Sequence, residues 1–207
     1  MHNVGAPAAA TGMSRSSFRP SDDATTLPYL VPANAMAVVE LRAVAAQLRQ
    51  LIKTPWGANL AGSRATEVAA TATAADALAS QIAAGIAASG VVNHPQTKQP
   101  VYAYETDGFG NAMHMDDANV PSLLSLPYLG FVNSSDPVYK ATRQVVLSNA
   151  TNPWFFVGGA CPMGGTLKRA LWSALACVPA TALLRRVVAC LLSFFFPLFS
   201  PLFLFSF

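Results

Sequence analysis

The sequence predicts an all-α domain on three observations: two long stretches of helical periodicity, the short turn joining them, and a strong helix start further along. From Asn34 to Lys53, apolar residues recur at Val38, Leu41, Val44, Ala45, Leu48, Leu51 and Ile52, with Arg42, Arg49 and Lys53 largely between them. That spacing belongs to a helix with one buried face, and Pro32 stands just ahead, where a proline does no harm. Pro55 ends this helix. After Gly62, a second pattern from about Ala65 to Ser89 places Val68, Ala72, Ala75, Leu78, Ile82 and Ile86 on one stripe. The stripe is mostly alanine, and small side chains let a neighbouring helix approach closely. The two together make a helical hairpin, the repeating unit of all-α barrels. The third element opens at Ser135-Asp136-Pro137: Asp136 can cap free amides, Pro137 fits the first helical position, and Val138, Ala141, Val145 and Val146 follow.

Between these elements, His2 to Ser17 is rich in Ala, Gly and Ser and reads as a loop or ragged edge. Gly90 to Asn119 carries Gly, Pro, Asn and Asp at short intervals without a sustained period, so it reads as one extended loop. A loop of about 30 residues inside a compact domain is uncommon and usually functional.

Charge divides the chain unevenly. The sequence is 53% apolar and 11% charged, against roughly 25% charged in an ordinary soluble domain. All ten acidic residues lie at or before Asp136, beside seven basic ones; the six charges after it are all basic. No basic cluster exceeds two residues, which argues against a nucleic-acid surface. Cys161, Cys177 and Cys190 are odd in number and widely spaced, giving neither a zinc pattern nor a disulfide framework. Met1 to Thr11 lacks the basic and apolar regions of a signal peptide, and the compartment stays open. Val187 to Phe207 is uncharged and rich in Phe. Its length suits a membrane span, but Pro197 and Pro201 would each break a helix hydrogen bond. Translation through a pyrimidine-rich intron edge, a tail anchor and a buried helix all fit it.

Three groups of carboxylates carry the chemistry: Asp22-Asp23, Glu105 with Asp107, and Asp116-Asp117. Adjacent acids repel, so such pairs in a charge-poor chain cost stability unless a ligand, cation or proton uses them. Around them stand Tyr104, Phe109, Asn111, His114 and Asn119. Rings that stack on a pyranose face beside amides and carboxylates that bond its hydroxyls are what a sugar site needs.

Several blocks, in order, resemble glycoside hydrolase family 125, the meiotically up-regulated gene 157 family. They are Phe18-Arg19-Pro20-Ser21-Asp22-Asp23-Ala24, Leu30-Val31-Pro32-Ala33-Asn34, Asp107-Gly108-Phe109-Gly110-Asn111, Met115-Asp116-Asp117-Ala118-Asn119-Val120-Pro121-Ser122-Leu123-Leu124, Leu126-Pro127-Tyr128-Leu129-Gly130 and Asn152-Pro153. The resemblance implies a partial (α/α)6 barrel with long active-site loops and exo-acting, inverting hydrolysis of α-1,6-linked mannose. It implies a general acid at Asp22 or Asp23, with Asp23 slightly favoured. It also implies a binding wall of Arg19, Tyr104, Glu105, Asp107, Phe109, Asn111, His114, Asp116, Asp117 and Asn119. The expected partner is an α-mannoside glycan, with no cofactor and no metal, and a membrane only if the apolar tail is genuine. The expected organisation is a ragged 1–17, a partial hydrolase domain over 18–165 and a tail outside the family pattern over 166–207.

The chain departs from the family in one respect that bears on chemistry. The family's general base is a glutamate in a Met-His-Glu-Ser block, and these 207 residues contain no such block. The chain therefore reads as an incomplete copy of doubtful activity. A mannoside-binding protein without catalysis and a divalent-cation site built from the acidic pairs are the competing readings.

Overall fold

The computed structural model describes residues 6–59 and 64–152, all within the first of the chain's two compact units, Met1–Val157. The apolar tail and the three cysteines lie outside the described residues.

A two-residue strand, β1 (Tyr29–Leu30), runs straight into the long helix α1 (Val31–Ile52). The helix starts three residues earlier than the stripe suggested, and Pro32 sits within its first turn. There the missing N–H would have had no helical partner anyway. A short turn of helix, α2 (Pro55–Ala58), follows, then α3 (Arg64–Gly85), which runs on into a π-helical turn at Ile86–Gly90. The pairing of α1 with α3 is the most extensive between any two elements. Val31, Ala35, Val38 and Ala45 are buried on α1, and Ala72, Ala79 and Ile82 on α3. The alanine stripe thus provides the close approach expected of it. Val44 and Leu78 remain 44% exposed, because a pair of helices covers less than the full width of each stripe.

The expectation of one uninterrupted loop after the hairpin is corrected. The segment holds four short strands: β2 (Val91–Asn93), β3 (Pro100–Tyr102), β4 (Glu105–Thr106) and β5 (Ala112–Met113). Antiparallel β2 and β3 form a two-stranded ribbon, while β4 lies between β1 and β5, pairing Glu105 with both Leu30 and Met113. Strands of two or three residues show no measurable period of two, so the sequence gives no sign of them. The domain is therefore helical with two small sheets rather than purely α.

The stretch expected as a ragged edge is seated on the body from Ala6 to Ser17. Ser14 donates to Oδ1 of buried Asn34, whose Nδ2 returns bonds to Ser14 O and Leu30 O. The Ala9 amide donates to Asp107 O, and Tyr29 Oη donates to Ala9 O. Small residues suit this close run: at Gly108, whose φ is +79°, an added Cβ would stand 2.4 Å from the Thr11 methyl. A low-complexity composition gave no hint of these tertiary bonds.

After a single-turn helix α4 (Leu126–Leu129), α5 (Pro137–Val146) begins where its start signal indicates. Asp136 accepts from the Tyr139 amide at 2.8 Å. Thr142 on α5 in turn accepts from the Tyr102 amide at 2.8 Å, fastening the helix to β3. The core unites Leu30, Val31, Val38, Ile82, Ile86, Tyr104, Leu123 and Leu126. Replacing Asp136 with alanine is expected to cost about 1 kcal/mol, the usual value of such a cap. Urea unfolding of Asp136→Ala against wild type checks this.

Candidate active site

The sequence Arg19-Pro20-Ser21-Asp22-Asp23 builds a tight hairpin. Phe18 pairs with Ala24 across an antiparallel bridge, Asp22 N donates to Arg19 O at 3.0 Å, and Arg19 N donates to Asp23 O at 2.8 Å. Pro20 presets the first turn position, and the residue before the return strand must take a positive φ, as in three-residue hairpins with a bulge. Here that residue is Asp22, at φ +65°. Asp and Asn tolerate this conformation better than most side chains. The tip therefore displays Asp22 and Asp23 to solvent, with Ser21 Oγ donating to Asp23 Oδ2 at 3.2 Å.

Beneath the hairpin lies a buried ion pair. Arg19 Nε donates to Glu105 Oε1 at 2.6 Å, and the amides of Thr26 and Leu27 donate to Oε2 at 2.8 and 2.9 Å. The Glu105 side chain is wholly enclosed. Glu105, expected as part of the sugar-binding wall, thus has both carboxylate oxygens engaged by donors from the hairpin above it. Its hydrogen bond to Arg19 raises the guanidinium pKa further above its ordinary value, against the opposing effect of burial. Arg19 also lies over the Tyr104 ring, 5.9 Å from its centre.

Three further expected wall residues are engaged within the protein. Tyr104 is fully buried, so it offers no stacking face; its hydroxyl lies 3.5 Å from Asp117 Oδ2, and desolvation, with Asp117 and Asp116 nearby, pushes its pKa up and keeps it protonated. Asp107 and Asn111 serve the turn between β4 and β5. Asp107 accepts from Phe109 N, Asn111 N and Asn111 Nδ2. Desolvation raises its pKa, but these donors outweigh it and hold the carboxyl below the usual carboxylate range. Phe109 remains 65% exposed at the turn's tip, the one aromatic ring of the expected wall that is open to solvent.

The second carboxylate pair sits on the loop from Met115 to Leu124. Asp116 accepts from Leu123 N at 2.7 Å and Leu124 N at 3.0 Å, closing the loop onto α4. Asp117 accepts from Asn119 N, and Asn119 Nδ2 reaches Pro20 O at 3.4 Å, which brings this loop against the Asp22-Asp23 hairpin. Desolvation drives the Asp116 carboxyl up to about 7 against the pull of the backbone amides of Leu124, Leu123 and Asp117. His114 packs edge-on against His94 at 4.8 Å, and its buried Nδ1 has no hydrogen-bond partner. Desolvation, helped by the second imidazole, lowers its pKa. His94, buried in the turn after β2, was not singled out in the sequence because a lone histidine beside Pro carries no pattern. Among the described residues, no group of three or more His, Cys, Asp or Glu stands close enough to hold a metal ion. None of the described helices is long and apolar enough to cross a membrane.

The family described as metal-independent alpha-mannosidase (GH125) matches residues 1–174. The chain belongs to glycoside hydrolase family 125. Among curated relatives, the meiotically up-regulated gene 157 protein of Schizosaccharomyces pombe is 48% identical over 144 residues, 70% of this chain and 25% of the relative. Among solved structures, a Streptococcus pneumoniae protein aligns with a TM-score of 0.61 at 39% identity, covering 76% of this chain and 34% of the other. That structure is described as a metal-independent alpha mannosidase in a non-productive substrate complex with alpha-1,6-mannobiose. The chain thus spans about a quarter and a third of the lengths of these two family 125 proteins.

The burial of Asp116 has a measurable consequence. Its folded-state pKa lies above the ordinary 3.8, so the native state holds the proton more tightly than the unfolded chain. The corresponding stability is fully present below about pH 4 and is lost as pH rises toward about 7. Relative to Asp116→Asn, wild type is expected to lose thermal stability across that window; parallel melting profiles would show that Asp116 ionises in the ordinary range.

Proposed function

We propose that this chain carries the acid-bearing half of an exo-acting, inverting α-1,6-mannosidase site, set in part of an (α/α)6 barrel to which the α1–α3 hairpin belongs. The supporting observation is the Asp22-Asp23 hairpin, presented to solvent in a family 125 chain whose solved relative is described with alpha-1,6-mannobiose. Inversion requires a carboxylic acid to protonate the departing oxygen and a carboxylate on the other face of the ring to activate water, about 6.5–9.5 Å apart. Asp23 is assigned as the acid. Asp22 has a backbone reason to be where it is, since its positive φ favours a short polar side chain, whereas Asp23 is oriented by the Ser21 hydroxyl. Phe109, Asp117 and Asn119 are assigned to sugar contact, and Arg19 and Asp116 to holding the two loops.

A second reading is mannoside binding without hydrolysis. It is favoured by the carboxylates themselves: Glu105, Asp107 and Asp116 are each engaged by several donors.

Proton NMR of the anomeric signals from α-1,6-mannobiose separates these readings. Inverting hydrolysis releases β-mannose first. Asp23→Asn is expected to slow release by about 10²- to 10⁴-fold, the usual contribution of a general acid. Asparagine also keeps the left-handed backbone at position 22, so Asp22→Asn tests that carboxyl without disturbing the turn. Full activity of Asp23→Asn would refute the assignment, and saturable binding without release would establish the second reading.

A further inference from the structure

We propose that Glu105 is the positioning residue of the acid hairpin, acting through Arg19 and the Thr26 and Leu27 amides to fix where Asp22 and Asp23 stand. The inference rests on the functional reading above and names a residue for that same site. The tip is largely open: Phe18 is 61% exposed, and Asp22 and Asp23 face solvent. The backbone bonds of residues 16–28 run within the hairpin itself, from Ser16 to Pro28, Thr25 to Ser17, Arg19 to Asp23 and Asp22 to Arg19. They set its shape without attaching it to the body. Attachment comes from Glu105, which takes one donor from the outgoing strand and two from the returning strand, all at 2.6–2.9 Å. Among the described residues, the remaining polar links, Arg19 Nη2 to Met113 Sδ and Asn119 Nδ2 to Pro20 O, are both 3.4 Å.

Glu105 is itself immobile. It sits on the central strand of the β1–β4–β5 sheet, bonded on both sides, with its side chain fully enclosed. A carboxylate suits the task because it accepts at both oxygens, and charge-assisted bonds are the strong ones. A glutamine cannot replace it: whichever way its amide turns, the NH2 faces either Arg19 Nε–H or the two amides.

That mismatch supplies the test. In the 207-residue chain, Glu105→Gln is expected to raise amide hydrogen exchange at Arg19, Thr26 and Leu27 at least 10-fold, with protection in α1 and α3 retained. Affinity for α-1,6-mannobiose, read by NMR titration, should fall by a similar factor. The double variant Arg19→Gln/Glu105→Gln should recover both, because Gln Oε1 occupies the place of Arg Nε and accepts from the new amide. Unchanged exchange in Glu105→Gln, equal loosening of α1 and α3, or no recovery in the double variant would each overturn the proposal. Failure of wild type to bind mannobiose would remove the functional reading, while the exchange measurements would still decide whether Glu105 holds the hairpin.

Discussion

A single buried carboxylate organises this domain. Glu105 is reached by a guanidinium and two backbone amides from a segment nearly eighty residues earlier in the chain. An enclosed charge is costly unless it is paired and its remaining lone pairs are bonded, and every donor that satisfies Glu105 belongs to Arg19–Leu27. Folding the sheet therefore draws the acid hairpin to one place. Arg19, once held there, covers Tyr104, and Tyr104 points its hydroxyl toward Asp117. The two acidic loops meet over this chain of contacts.

The acids divide accordingly into two kinds. Glu105, Asp107 and Asp116 each accept two or three hydrogen bonds from the protein and act as internal fasteners for a hairpin, a turn and a loop. Asp22 and Asp23 have their carboxylates turned outward. A group that must give a proton to a bound glycan needs that access, and a group that shapes a loop needs the opposite. Rigid support below and exposed carboxyls above is the pattern expected of a preorganised site.

Much of this arrangement is legible in the residues themselves. The α1 and α3 stripes are long enough for a period of 3.6 to stand out, and the Asp136-Pro137 start names its own cap. The acidic pairs stand out because the rest of the chain is poor in charge. What escapes detection is local structure too short to have a period, from β2 to β5, and contacts carried by backbone atoms, which any side chain can make. The seating of Ala6–Ser17 is of this second kind: an Ala- and Gly-rich run looks loose in sequence because its bonds are formed by main-chain groups with Asn34, Tyr29 and Asp107.

By itself the sequence determined the helices, the family blocks and the set of acids from which a sugar site would be drawn, since these depend on residue type and spacing. Only the tertiary structure decided which acids are enclosed and which face solvent. Glu105 and Asp23 are the same functional group with the same intrinsic chemistry. One is enclosed among three donors and the other stands at a solvent-facing turn, and that difference arises from residues far away in the chain, whose arrival no local pattern records.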